Sequence, residues 1–305
     1  MTFRKTANVD VLGVAGIDND WRKVSDRRVS SIYMDGGSLI SVEAALDSVA
    51  DTYKISRDPR DYLLIPTRAV SADRPNENMD GFQREELLRF DPRLGRRVYS
   101  TFNLKPHFVN HNAQNYALAR GVLIDSHFND QNQADDRVKR AVFDATGKDA
   151  TLDEFVETLI AVDMSKDPHL AEAYKNGSVY RFSMGCDVEN TECSVCNKVA
   201  FNTIQFCDHI RAKHSRVAYP LEGGGRRAAF EWCKGTVFAE ESAVDDPADK
   251  SAEIQDSILR MAAMHPSASS FTDSEVGEIL SFTARHANTI PEPLAALINS
   301  ALSAR

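Results

Sequence analysis

The sequence has no long hydrophobic run: no window of its 305 residues approaches eighteen apolar positions, which excludes an ordinary membrane-spanning helix. It also lacks the pattern of a signal peptide, because Arg4, Lys5, Asp10, Asp18 and Asp20 interrupt the apolar residues of the first twenty positions. A soluble, cytosolic protein is expected. Glycine and proline are sparse, at 15 and 11, so collagen-like and low-complexity architectures are excluded. Positive charge is in deficit: 36 Lys and Arg against 45 Asp and Glu leave −9, with a pI near 5.4. That balance argues against nucleic acid as the main partner, since phosphate binding relies on a basic field, although a local basic patch remains compatible with it. Cysteine is scarce and odd in number. Of Cys186, Cys193, Cys196, Cys207 and Cys233, four fall between 186 and 207, which suits a metal site in a reducing compartment better than a disulfide framework.

What is present is the composition of a folded protein, 42% hydrophobic and 27% charged, long enough for one large domain with appendages or for two domains. Residues 1–30 carry six Lys or Arg against four Asp, with weak patterning, and read as an N-terminal arm. Residues 31–250 read as the core and 251–305 as a helical tail. Short strands are expected at Tyr62–Pro66, Val98–Phe102, Phe108-Val109 and Gly121–Asp125, with an ordered turn-rich loop over Ser71–Gly81. The Thr-x-x-Glu pattern of Thr151–Glu154, followed by Phe155, Leu159 and Ile160, predicts a helix over about 151–162. Pro168–Asn176, ended by Gly177, predicts a second. Val179–Val188 alternates as a strand with Tyr180, Phe182 and Met184 on one face and Ser183 on the other. Thr236–Phe238 opens a last core strand. From Glu240 to Ser257 seven acidic residues face Lys250 alone, and Leu294, Leu297, Ile298, Ala301 and Leu302 then form one apolar stripe.

The cysteine cluster carries the clearest chemistry. Cys193 and Cys196 form a Cys-x2-Cys knuckle, ten residues separate it from Cys207, and His209 and His214 follow. Two knuckle thiolates with two further sulfur or nitrogen donors make a closed tetrahedral zinc site, which stabilises an insert too small for its own core. Cys193, Cys196, Cys207 and His209 are the favoured set, spanning an insert of about 190–215, with His214 the substitute fourth ligand. The spacing Cys196-x12-His209-x4-His214 also fits a nucleic-acid-binding finger, but it leaves Cys207 unexplained and the finger's aromatic and leucine positions are poorly matched. Cys186 and Cys233 read as packed thiols, with Cys186 in reserve. Separately, His111 and Ser183 offer a base and a nucleophile; the plain alternative is a structural histidine and a strand serine bonded to backbone.

Pro75-Asn-Glu-Asn-Met-Asp-Gly-Phe82 with Glu86-Leu87, His107-Phe-Val-Asn-His-Asn112 with Ala119-Arg-Gly-Val122, Phe182-Ser-Met-Gly185, and Val237-Phe-Ala-Glu-Glu-Ser242 with Asp246-Pro-Ala248 stand in a telling order. Over about residues 60–250 this order resembles tailed-bacteriophage prohead maturation proteases, which in turn resemble herpesvirus assemblins. The resemblance implies an α+β fold: an assemblin-like β-barrel core wrapped by helices, a small zinc-binding insert and a helical C-terminal tail. It implies a serine endopeptidase with Ser183 as nucleophile, His111 as general base and Glu240 as the third member, Glu241 being the alternative because a second Glu replaces the family's hydrophobic residue. Ala119-Arg120-Gly121 reverses the family's Gly-Arg order. Arg226 and Arg227, after Gly223-Gly-Gly, match an arginine loop that supplies oxyanion donors in the herpesvirus relatives; each such donor is worth about 3 kcal/mol. A Cys-x2-Cys and Cys-x-His insert after the nucleophile strand is similar to one in some phage proteases, with Zn2+ structural. Implied substrates are phage scaffold and major capsid proteins and the protease itself, inside a prohead in the host cytoplasm; self-association is compatible with this, and a membrane is not involved. The competing expectations are a catalytically inert head structural or scaffold protein and a zinc-finger nucleic-acid-binding protein.

Overall fold

The computed structural model describes residues 3–9, 32–33, 39–40, 42–175, 179, 181–221 and 224–244. The helical tail, the acidic linker beyond 244, Gly177 and most of the 1–30 arm lie outside the described residues. Seven strands build the central sheet: β1 (Phe3–Val9), β2 (Tyr62–Ser71), β3 (Pro106–Val109), β4 (Gly121–Gln133), β5 (Leu152–Asp163), β6 (Phe182–Val188) and β7 (Val237–Ala243). They lie in the order β1-β6-β7-β3-β4-β5-β2, antiparallel except for the parallel pair β7 and β3. The fold is mixed α+β and rich in sheet. The expected barrel does not close: β1 and β2, the two edges, approach one another, yet no ladder joins them among the described residues.

Both sheet faces carry buried apolar clusters, and within the strands Tyr62–Ile65 and Leu159–Val162 read as continuous apolar runs. Ile65, Ala69, Val156, Ile160, Phe182, Met184 and Phe238 pack into one cluster with Ala171 and Tyr174 of the helix Pro168–Lys175. Leu64, Phe108, Val122, Leu159 and Ala161 pack on the other side against Leu46, Ala50 and Tyr53 of the helix Val42–Tyr53.

This double burial corrects the expected helix over 151–162. Val156, Ile160 and Val162 face one cluster while Leu159 and Ala161 face the other, and hydrogen bonding to both β2 and β4 makes the segment strand β5. A local capping pattern is worth about 1 kcal/mol and loses to two ladders and two apolar faces. Val98–Phe102, expected as a strand, is a 3-10 turn that buries Val98 and Phe102. Its Thr101 hydroxyl donates to the Val98 carbonyl and accepts from the Phe238 backbone N–H at 2.9 Å, a tie to β7 that a strand would not make. The arm contributes β1, paired along the whole of β6. The helices Val42–Tyr53 and Asp136–Thr146 were not signalled by the patterns above.

Gly121 sits between β3 and β5 opposite His107 and Val162. A Cβ here would lie 2.1 Å from the Ala161 carbonyl oxygen and 2.9 Å from the Val162 Cα, both backbone atoms that cannot swing aside. Gly121→Ala should therefore cost about 3 kcal/mol of stability in chemical denaturation; a loss under about 0.5 kcal/mol would show that the two strands are not this close.

Candidate active site and metal centre

Strands β6 and β7 bring the expected catalytic residues to one face. Their register opposes Ser183 to Ser242 and Gly185 to Glu240. Directly opposed residues share a face, with Cβ atoms about 4.5–5.5 Å apart. Phe182, Met184, Cys186 and Val188 point the other way into the core. Glu240 is 2% exposed and holds two groups: its Oε2 accepts from the Ser242 hydroxyl at 2.5 Å, and its Oε1 lies 2.8 Å from His111 Nδ1.

His111 arrives just past β3, which runs beside β7 with Phe108 opposite Ser242. Asn110 and His111 both take left-handed backbone conformations, each with φ of 53°. Asn and His tolerate that region better than most residues, at a cost on the order of 1 kcal/mol each. The Asn110 N–H donates to the Ala243 carbonyl at 2.7 Å, pinning the turn to the end of β7. A Glu240 carboxylate at this distance accepts from Nδ1–H, so in the neutral ring Nε2 is the nitrogen with the lone pair. The His111 side chain is 31% exposed, whereas Ser183 and Ser242 are fully buried.

Gly185 explains the Ser-Met-Gly spacing. A Cβ there would lie 2.6 Å from Glu240 Oε1, the atom that holds His111, so only glycine leaves room for the carboxylate. Gly185 and Ser242 stand in the motifs read from the sequence but had no role assigned there, although strand alternation from Glu240 and Ser183 places both on the site face.

Glu241, the alternative third member, faces the opposite side. Its carboxyl meets the Thr67 and Thr158 hydroxyls at 2.6 Å each, deep in the core. Its carbonyl accepts from His107 Nδ1 at 2.8 Å, and the Tyr174 hydroxyl donates to His107 Nε2 at 2.8 Å. Burial pushes His107 down to about 4, so it is a neutral structural histidine with a set tautomer.

Arg226 and Arg227 lie on a small hairpin beyond Gly224 and Gly225, in the strand Arg226–Ala228. Arg226 donates to the Ala218 carbonyl at 2.5 Å, and Arg227 donates to the carbonyls of Asp144 and Ser194 at 3.0 Å. These bonds tie the hairpin to the insert and to the helix Asp136–Thr146, and do not run to Ser183, His111 or Glu240.

The donor atoms of Cys193, Cys196, Cys207 and His209 all lie within 4.8 Å of one another, so the four could hold a metal ion. A tetrahedral zinc site separates its sulfur donors by about 3.8 Å, and Cys193 Sγ to His209 Nδ1 is 3.9 Å. The knuckle has the backbone such a site needs: Asn197 is left-handed with φ of 56°, and the Val195 N–H points at Cys193 Sγ at 3.4 Å. Burial raises the Cys193 thiol. At Cys196 burial is outweighed by the Lys198 backbone N–H and by His209, Cys207 and Cys193, and the thiol is lowered. His214 is exposed on the turn Lys213–Ser215 and outside the cluster, while Cys186 and Cys233 pack in the main core. The insert sheet, Val199–Ala200, Asn190–Cys193 and Glu231–Lys234, adds Asp80–Gly81 from the Asn-rich loop as its last strand. Buried Lys213 locks that junction, donating to Asp80 Oδ1 at 2.8 Å and Glu231 Oε1 at 2.7 Å.

Gly185→Ala should displace the Glu240 carboxylate. The expected outcome is a loss of about 1–3 kcal/mol and disappearance of the hydrogen-bonded His111 Nδ1–H proton from the NMR spectrum; an unchanged proton signal would contradict the packing described. Compared with known proteins, the chain matches no family model, no curated protein and no solved structure.

Proposed function

We propose that the chain is a serine endopeptidase of the Ser-His-Glu type. The observation that carries this reading is the 2.8 Å contact between His111 Nδ1 and buried Glu240, on the face that Ser183 shares one strand away. In this mechanism the Ser183 hydroxyl attacks the scissile carbonyl and His111 Nε2 takes its proton. The imidazolium then gives that proton to the leaving amine, and water hydrolyses the acyl-enzyme by the same route. Glu240 holds the ring in the productive tautomer and balances its charge, while the Ser242 hydroxyl keeps the second carboxylate oxygen occupied. The order of motifs supports scaffold and capsid proteins of a phage head, and the protease itself, as substrates. Confinement in a prohead would supply high effective concentration in place of affinity.

The Cys193, Cys196, Cys207 and His209 set suits Zn2+ in a structural role: all four positions are taken by protein donors, which leaves no open site for substrate. One feature favours a second reading, a catalytically inert head protein. Ser183 has no exposed surface, and a nucleophile must be reached by its substrate.

Two experiments test the assignment. Ser183→Ala and His111→Ala should each reduce cleavage of the capsid and scaffold proteins at least a thousandfold while the fold persists. Wild-type rates in Ser183→Ala would end the protease reading, and an unreactive wild type with a fluorophosphonate probe would favour the inert protein. Purified protein should also contain about one zinc per chain, lost in the Cys193→Ser, Cys196→Ser double variant; full metal content in that variant would refute the ligand set.

A further inference from the structure

The proton count around Glu241 does not close if Glu241 is ionised. Three oxygen–oxygen contacts of 2.6 Å form a triangle: Thr67 Oγ1 to Glu241 Oε1, Thr158 Oγ1 to Glu241 Oε2, and Thr67 Oγ1 to Thr158 Oγ1. Each contact needs one hydrogen to be attractive, and the two hydroxyls supply only two. With a carboxylate at the apex, one pair of oxygens would face each other at 2.6 Å with no proton between them. A carboxylic acid supplies the third hydrogen. The ring then runs in one sense, from the Glu241 O–H to one threonine, from that threonine to the other, and from the second back to the Glu241 carbonyl oxygen.

We propose that Glu241 is a neutral carboxylic acid in the folded chain, closing this ring, and that its ionisation is a pH-sensitive switch on the strand that holds Glu240 and Ser242. The ring spans the sheet, because Thr67 of β2 and Thr158 of β5 are a cross-strand pair three or more strands from β7 in the sheet order, yet both meet Glu241. Losing one contact therefore loosens a tie between β7 and the far edge of the sheet. Among the described residues, no cation acts on the Glu241 carboxyl. On its own strand Glu240 contributes negative charge; β3 brings His107, already neutral; the helix Pro168–Lys175 brings the Tyr174 phenol; β6 brings Met184; β2 and β5 bring the two threonines. Burial first, and then Glu240, raise the Glu241 carboxyl to about 7 against two opposing threonine bonds.

The sign follows from linkage. A carboxyl raised from 4.5 to about 7 contributes stability that is complete below pH 4.5 and lost as pH rises through 7. Buried His107, lowered from 6.5 to about 4, contributes the opposite slope, complete above pH 6.5 and lost on acidification. Total stability is therefore a poor readout, and the difference from a variant that cannot titrate is a good one. Glu241→Gln is that variant, since its amide donates to one threonine and accepts from the other and so keeps the ring.

The experiment follows the side-chain carboxyl 13C shifts of the glutamates in the full-length protein, with Glu241 assigned through its own backbone resonances. Glu241 should titrate with a midpoint near 7, and the folding constant of the wild type should fall relative to Glu241→Gln by about a hundredfold between pH 4.5 and 8. A Glu241 midpoint below 5, or stability curves that stay parallel, overturns the proposal. If Glu241→Gln does not fold, the wild-type titration alone decides. The link to the site rests on the protease reading: cleavage by the wild type should drop relative to Glu241→Gln as pH rises through 7, and superimposable profiles overturn the switch. Absence of cleavage in both proteins sinks the protease reading and leaves the carboxyl titration to decide this one.

Discussion

Two adjacent carboxyl groups are buried on opposite faces of one strand, and the surrounding architecture is organised by the need to satisfy both. An unpartnered buried carboxylate costs several kcal/mol, so neither Glu240 nor Glu241 is tolerable without dedicated donors. Glu240 draws the Ser242 hydroxyl and His111 to the outer face and requires a glycine at 185. Glu241 draws Thr67 and Thr158 across the interior, and its carbonyl holds the His107 ring that Tyr174 backs. Strand β7 thus connects the candidate catalytic face to the core, and residues on β2, β3, β5 and β6 are accounted for by what β7 buries.

The four-donor cluster of the insert obeys a different constraint. The insert's own apolar cluster is small, Cys193, Ile210 and Ala229 with a few partly buried neighbours, far less than an independent core needs. The buried Lys213, Asp80 and Glu231 group adds charged hydrogen bonds there, and the four convergent donors could hold a metal ion. Because Asp80 belongs to the loop that follows β2, the insert is joined to the main sheet by charge and hydrogen bonding as well as by chain connection.

Much of the candidate site was legible because its signals are local or strictly periodic. The Cys-x2-Cys spacing reflects the geometry of one turn, and the alternation of Phe182, Ser183 and Met184 reflects a two-residue strand repeat. What was not legible depended on partners distant in sequence. The segment 151–163 has a capping pattern that favours a helix on its own, and it becomes a strand because β2 and β4 hydrogen-bond to both its edges. Val98–Phe102 has β-branched and aromatic residues, yet it turns because Thr101 must meet the Phe238 N–H.

The sequence by itself determined the presence of a strand serine, a histidine and two adjacent carboxyls, and the spacing of three thiols and an imidazole. Those follow from side-chain chemistry and short-range geometry. Only the tertiary structure decided which glutamate meets His111, that His209 and not His214 completes the cluster, and that Arg226 and Arg227 bind backbone elsewhere. Neighbouring positions on a strand face opposite ways, so the choice between Glu240 and Glu241 depends on which face packs inward, and that is settled by burial contributed from every other strand.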